Sequence, residues 1–457
     1  MRAGLFSFLL GAIPANAGKP IDAGDGQAPP DSVIEKFFMQ DYLLGTWGGI
    51  RPALSKRGVD FEFFYIGSVP TNFSGGMARG SAYQGALLMS LDLDTAKLGM
   101  WDGGTFHASG LWLDGKTFSQ RYVGDLNRSN LVDFPSGLRL WEVSYEQRVM
   151  RDALSFKVGL LSVDRDFIVP ELYGSLATMS LLNQTFFYPT LAFTINDMAG
   201  LPAGNHALAT TPYSAPGVRI QWRATDKVQV RVAVYGGQPD FGDTGTALAL
   251  RRSAGALVYF EAGYHSGTGK GSPRLPVSIK VGGYYHTDQF ADIRDAVGAN
   301  FGLGTGTRMH RGNYGVYLLA EKMLYREAGS VDTAMQGLTG FIRLGHAPAD
   351  RNIAELGIDA GLVYKGLIPG RDYDSIAIAG SYLKMSNDLR RAQRAANAVA
   401  PGSFVVSDYE AAVEFSYKFQ MAAWWTLQPS IQYAMHPGGS KAIPDAWVGI
   451  IQMTLRF

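Results

Sequence analysis

The sequence predicts an all-β fold, a transmembrane antiparallel β-barrel of about sixteen strands, with a long loop folded into the lumen and a short N-terminal helix outside it. Three observations predict it. Segments that alternate apolar and polar side chains recur from residue 59 to the C-terminus. The connections between them are alternately short and long. No segment makes a membrane-crossing helix: the longest uncharged run, 172–196, carries Gly174, Asn183, Gln184 and Pro189.

The last strand shows the pattern most clearly. In DAWVGIIQMTLRF one face is Trp447, Gly449, Ile451, Met453, Leu455 and Phe457; the other is Val448, Ile450, Gln452, Thr454 and Arg456. Period-two alternation makes a strand with two unlike faces. Ending the chain on an aromatic suits a closing barrel strand.

Composition agrees. Charged residues are 18% of the 457, below the usual ~25%, while aromatics are 12% and glycines number 56. A net charge of +1 gives no basis for binding nucleic acid, and the absence of cysteine excludes disulfides and cysteine-based metal or redox sites. Residues 1–17 have Arg2, an apolar stretch from Leu5 to Ile13 and the Ala15-Asn16-Ala17 ending of an export signal. An exported, membrane-embedded chain without spanning helices must close into a barrel, which satisfies every backbone group in lipid.

Residues 18–58 form an N-terminal segment, polar at first and aromatic at Phe37-Phe38, with a short helix over 51–57 framed by Pro52 and Gly58. The barrel occupies 59–457. Its strands are expected at 59–69, 82–95, 104–114, 138–149, 154–164, 216–224, 227–236 and 253–265. The second half gives 275–287, 312–325, 335–345, 353–365, 374–385, 408–420, 424–435 and 445–457. Connections on the chain-terminal side, such as 150–153 and 421–423, are all of nine residues or fewer. Those on the other side include 115–137, 165–215, 237–252, 288–311 and 386–407, while 346–352 and 436–444 are short exceptions. At about fifty residues, 165–215 is far too long for an ordinary loop. It is also rich in apolar residues, so it is expected to enter the lumen and constrict it.

LGTWGGIRPALSKRGVDFEFFYIG, the WEVSYEQRV and LSFKVGLLSVDRDF pair, and YSAPGVRIQWRATDKVQVRVAVYGGQPD resemble the carbohydrate-selective porins of Gram-negative outer membranes, the OprB-like family. NYGVYLLAEKMLYR, GLTGFIRLGHAPAD and LQPSIQYAMHPGG are similar too, in the same order along nearly the whole mature chain. The resemblance implies a sixteen-stranded outer-membrane barrel that passes small sugars by diffusion. The chain departs from it at LATMSLLNQTFFYPTLAFTIN, which is more apolar than expected. A general or anion-biased porin is the alternative, and a non-conducting or enzymatic barrel a more distant one. The partners implied are small sugars, membrane lipid and lipopolysaccharide, in a monomer or a homotrimer.

A neutral sugar needs donors and acceptors that replace its water without gripping it. Arg219 and Arg231, on adjacent strands just after the long loop, are expected to form one basic side of the constriction and to face water. Glu142 and Lys157 come from the preceding strand pair. Asp164 and Arg165 (with Asp166) stand at the entrance of the loop, Glu171 and Tyr173 begin it, and Tyr173 or Tyr235 offers an aromatic face. Glu261, Lys280, Glu355, Asp359 and Glu414 continue the series of inward charges. Arg390, Arg391 and Arg394 form an outer-loop cluster suited to lipopolysaccharide phosphates. None of the seven histidines sits in a nucleophile or metal motif, and no cofactor motif is present; an enzyme is not expected.

Overall fold

A strand with one apolar face can give that face to lipid only if its backbone edges are paired, and closure alone removes the edges. The computed structural model describes residues 33–170, 180–187, 209–239, 244–246, 255–267, 272–304, 306–328 and 336–457. Among them the first eight long strands are β1 Val59–Ser74, β2 Gln84–Asp94, β3 Gly104–Gly115, β4 Gly137–Val149, β5 Leu154–Leu161, β6 Ala215–Arg223, β7 Val228–Gly236 and β8 Ala256–Ser266. The others are β9 Val277–Ala291, β10 Met309–Arg326, β11 Gly337–His346, β12 Ala354–Lys365, β13 Ser375–Met385, β14 Tyr409–Ala422, β15 Trp425–Met435 and β16 Ala446–Arg456. Each pairs antiparallel with its sequence neighbours, and β16 closes onto β1 from Phe64↔Arg456 to Asn72↔Val448. The strands match the sequence expectation closely. β1 runs five residues further, to Ser74, and pairs there with a two-residue ribbon, Gly80–Ser81.

The two faces separate as the alternation requires. Val413, Phe415, Ile431, Trp447 and Ile451 are exposed on the exterior, while Glu414, Ser416, Gln432 and Gln452 are buried inside. A bulge re-aims one position: Ser109 pairs with Glu142 and Gly110 with Leu140, so Trp141 is the extra residue and both Trp141 and Glu142 are buried.

At the short-turn end the N-terminal segment seals the seam. It holds α1 Val33–Met39 and α2 Ile50–Lys56. Arg51 donates to the Phe457 carbonyl at 2.7 Å, and its guanidinium lies 3.7 Å from the Tyr42 ring centroid. Phe37 and Phe38 pack on Trp424.

Inside, the chain folds back twice. Leu181, and Phe186 of the single-turn helix α3 Gln184–Phe187, pack on Met323, Val363, Ala377 and Ala379. Glu414 accepts from the Leu182 and Asn183 amides at 2.7 and 2.8 Å. The second infolded loop, 116–136, goes beyond the one expected. Val132 and Phe134 cover Phe64, Ile66, Leu88 and Leu111, and Asn130 donates to Ser68 at 3.0 Å. The loops meet where the Gln184 amide donates to the Arg128 carbonyl at 2.8 Å. At the long-loop end α4 Ile293–Ala299 and α5 Asn387–Val399 pack through Ile293 and Leu389, capped by Asp292 and Ser386.

Gly75, just beyond β1, has φ +71°, and a Cβ there would stand 1.7 Å from the Asp445 carbonyl oxygen, which precedes β16. Gly75→Ala is expected to destabilise the barrel by more than about 1 kcal/mol. The readout is the temperature at which the fast-migrating folded band converts to the unfolded one on a gel; an unshifted transition would contradict the close approach.

Candidate functional site

Two register rows on the inner wall set up the site. Glu146, Lys157 and Arg219 are directly opposite one another across β4, β5 and β6. Gln221, Arg231 and Glu261 do the same across β6, β7 and β8. Opposite charges placed side by side on a pleated face attract. These rows also have a third partner, supplied by the loop.

After β5 the chain turns through Val163–Arg165 and lays Asp166, Phe167 and Ile168 over the rows. The Asp166 carboxylate bridges two cations, with Lys157 Nζ and Arg219 Nε each 3.3 Å away. Its carbonyl accepts from Arg231 at 2.9 Å. Arg219 also reaches Glu146 at 3.1 Å and Ser155 at 2.6 Å. Upstream, Glu142 accepts from the Ser162 amide at 2.9 Å and pairs with Arg165 at 3.0 Å. The Arg165 guanidinium stacks 4.8 Å from the Trp141 ring centroid. Downstream, Glu261 accepts from Arg231 at 3.1 Å and from the Ile168 amide and Tyr317 hydroxyl at 2.9 Å each. Lys280 stands 3.5 Å from Glu261 and donates to the Val169 carbonyl.

The backbone under this clamp is strained. Ile168 has φ +65°, a left-handed conformation that a β-branched residue rarely adopts. The Glu261 and Lys280 bonds on either side of its peptide hold it there. Burial alone would raise the Asp166 carboxyl, but Lys157, Arg219 and Arg231 outweigh it and hold it well below the usual carboxylate range. Asp164 is shifted the other way: burial raises it, against hydrogen bonds from Ser162 and Thr211.

Glu142, Lys157, Arg165, Arg219 and Arg231 therefore come together in one network, with Asp164 beside it and turned to Thr211. The expectation that Arg219 and Arg231 face water is corrected: each is only 4% exposed, because the loop covers them. Tyr235 is 1% exposed and packs edge-on to Phe167, so its ring presents no open face to a solute. Glu171 and Tyr173 lie outside the described residues. Sequence reasoning underweighted Asp166, the hub, and overlooked Trp141. Both roles depend on which distant residues lie opposite. The alternating rows carried a partial signal.

A family model described as "Carbohydrate-selective porin, OprB family" matches residues 78–457. The chain belongs to the OprB family. It is similar to Porin B of Pseudomonas aeruginosa, 25% identical over 440 residues that cover 91% of each chain. In fold it is similar to a high-pH structure of Pseudomonas putida OprB, with TM-score 0.78 and 22% identity over 92% of this chain and 99% of that one. A low-pH structure of the same protein gives TM-score 0.55 at 17% identity, with the same coverage. This OprB-family chain is thus a porin, a passive channel for small carbohydrates, and its family is not a family of enzymes.

A carboxyl held low contributes its anchoring above the ordinary value near 3.9. It loses that anchoring only as pH falls through the lower, folded value. Single-channel conductance of this OprB-family porin is therefore expected to stay level from about pH 8 down to about pH 4. Asp166→Asn, which leaves buried cations short of a partner, is expected to weaken loop attachment by about 3–5 kcal/mol and to raise conductance across that range. A parent channel that widens near pH 5, with Asp166→Asn no wider than the parent, would show that the second anchor at Glu414 and not Asp166 sets the width.

Proposed function

We propose that the barrel carries small neutral sugars across the outer membrane of a Gram-negative bacterium, with both chain ends on the periplasmic side, and that the 165–215 loop forms its constriction. The supporting observation is the clamp itself: Asp166 ties the start of the loop to three cations of the inner wall. Leu182 and Asn183, further along the loop, are tied to Glu414 on another part of the wall. Both anchors lie on the inner wall, which supports a loop that enters the lumen.

In this reading the buried Glu142, Lys157, Asp164, Arg219 and Arg231, together with Arg165, fix the polar side of the passage from behind, with Glu171 and Tyr173 of the loop completing it. Arginine supplies fixed donors and carboxylates supply acceptors, and a sugar hydroxyl can use either. Pairing the charges keeps the local field small, so a neutral solute is not outcompeted by ions. Glu146, whose side chain is 26% exposed, is the most open member of the network. Residues 1–17 act as the export signal. On α5, Arg391 pairs with Asp388 at 3.3 Å and Arg390 with Asp408 at 3.7 Å. Arg394 is exposed and suits a lipopolysaccharide phosphate.

Deleting residues 176–194 is expected to raise single-channel conductance severalfold and to relax size discrimination in liposome swelling with sugars of increasing length. Unchanged conductance in a folded deletion variant would place the loop outside the pore. Arg219→Ala and Arg231→Ala are expected to weaken sugar-dependent block of the ion current and to shift ion preference toward cations. They should also loosen the loop, since each leaves a buried carboxylate with one cation fewer. Block and preference like the parent in both variants would move the selectivity into the loop.

A further inference from the structure

Away from the clamp the inner wall has a different character. Lys365, Ser375 and Lys418 stand side by side across β12, β13 and β14, in the register Lys365↔Ser375↔Lys418. Alternation turns them inward: Lys365 shares its face with Asp359 and Val363, and Lys418 shares its face with Glu414 and Ser416. The β14–β15 pairing, Ser416↔Ser430 and Phe419↔Leu427, sets Gln428 opposite Lys418. The row therefore holds two ammonium groups, a hydroxyl and an amide, at the short-turn mouth.

The charge balance here is unlike that of the clamp. Lys157, Arg165, Arg219, Arg231 and Lys280 each pair with a carboxylate. Among the described residues Lys365 and Lys418 make no such ion pair. Asp374, the nearby acidic group, is held by Arg371, the Tyr417 hydroxyl and the Gln420 amide, each at 2.8 Å. Lys365 instead has its ammonium 5.4 Å from the Tyr373 ring centroid. Ser375 is bonded to Ser180 of the infolded loop at 2.7 Å, which brings that loop directly over the row. Both lysines are partly exposed. Their backbones are two strand spacings apart, about 10 Å, and two flexible four-carbon stems can close that gap onto one anion.

We propose that Lys365 and Lys418 form a subsite for the carboxylate of an acidic sugar, a uronate or aldonate, at the short-turn mouth of the channel. The carboxylate sits between the two ammonium groups, while Gln428, buried and donating to the Ser416 hydroxyl at 2.8 Å, borders them from the wall. The subsite gives an acidic sugar a stopping point that a neutral sugar lacks. It goes beyond the passage of neutral sugars, which uses the other side of the lumen.

The test uses the full-length protein in planar bilayers and liposomes, with glucuronate, glucose and acetate as probes, each added to either side in turn. In Lys365→Gln/Lys418→Gln the half-blocking concentration of glucuronate is expected to rise about tenfold, as expected for losing a charge-assisted contact. Glucose-driven swelling should match the parent. Lys365→Arg/Lys418→Arg should keep the block. Intact glucuronate block in the Gln pair overturns the proposal, and so does acetate blocking the parent as well as glucuronate does. Should the Gln pair fail to give the heat-modifiable folded band, single Lys418→Gln supplies the same reading with a smaller shift. Loss of glucose flux in the parent would count against the porin reading instead, so the two failures are distinguishable.

Discussion

One carboxylate holds the interior in place. Asp166 sits where the Glu146–Lys157–Arg219 row meets the chain leaving β5, and it takes one contact from each of two cations and a third through its carbonyl. Burying charges in this way adds little net stability, because desolvation offsets most of the Coulomb attraction. What the arrangement secures is position. Any displacement of the loop by a few ångströms would leave several buried charges unmatched at once, and that is the expensive outcome. The strained Ile168 depends on the same lock, since a left-handed β-branched residue stores about 1–3 kcal/mol that only its surroundings sustain.

The rest of the lumen is arranged around that fixed segment by a different force. Loop 116–136 and residues 180–187 cover apolar interior patches, Phe64 with Leu88 on one side and Val363 with Ala377 on the other. Hydrophobic burial is not directional, so each loop also carries a polar pin that sets its register. Glu410 accepts from the Leu126 and Asn127 amides at 2.8 and 2.7 Å, and Glu414 accepts from Leu182 and Asn183. Carboxylates on β14 thus do for these loops what Glu261 does for the first. The walls of a wide barrel would otherwise leave an open aqueous channel.

Much of the fold was legible because a barrel strand writes its environment into every second residue. Lipid demands apolar side chains on one face, and a wet interior permits anything polar on the other, so DYEAAVEFSYKFQ and GVRIQWRA show their faces without a partner. The length and apolar content of 165–215 pointed to an infolded loop, and its described residues 165–170 and 180–187 do pack on the inner wall. Loop 116–136 gave no such signal, because it is half as long and its grip rests on a few side chains such as Val132, Phe134 and Asn130. The Trp141 bulge was hidden for another reason. A bulge is a property of two strands, and nothing in β4 alone shows that β3 has one residue fewer opposite it. Tyr235 lies on the inward face of β7, yet only the structure shows Phe167 closing over it.

The same distinction explains why charge on the inner wall could be found from sequence while its role could not. Alternation marked Arg219 and Arg231 as pore-facing, and the strand register places Lys365 and Lys418 on the inner wall as well. Their fates differ through what the loops bring to them. Residues 162–170 carry Asp166 and two backbone carbonyls to the first pair and to Lys280, converting free charge into a fixed lattice. Residues 180–187 bring only a serine hydroxyl to the row that contains the second pair. Had the loop offered an acid at position 180, Lys365 and Lys418 would be locked like Arg219. With Ser180 there, their charge is left for whatever passes through the channel.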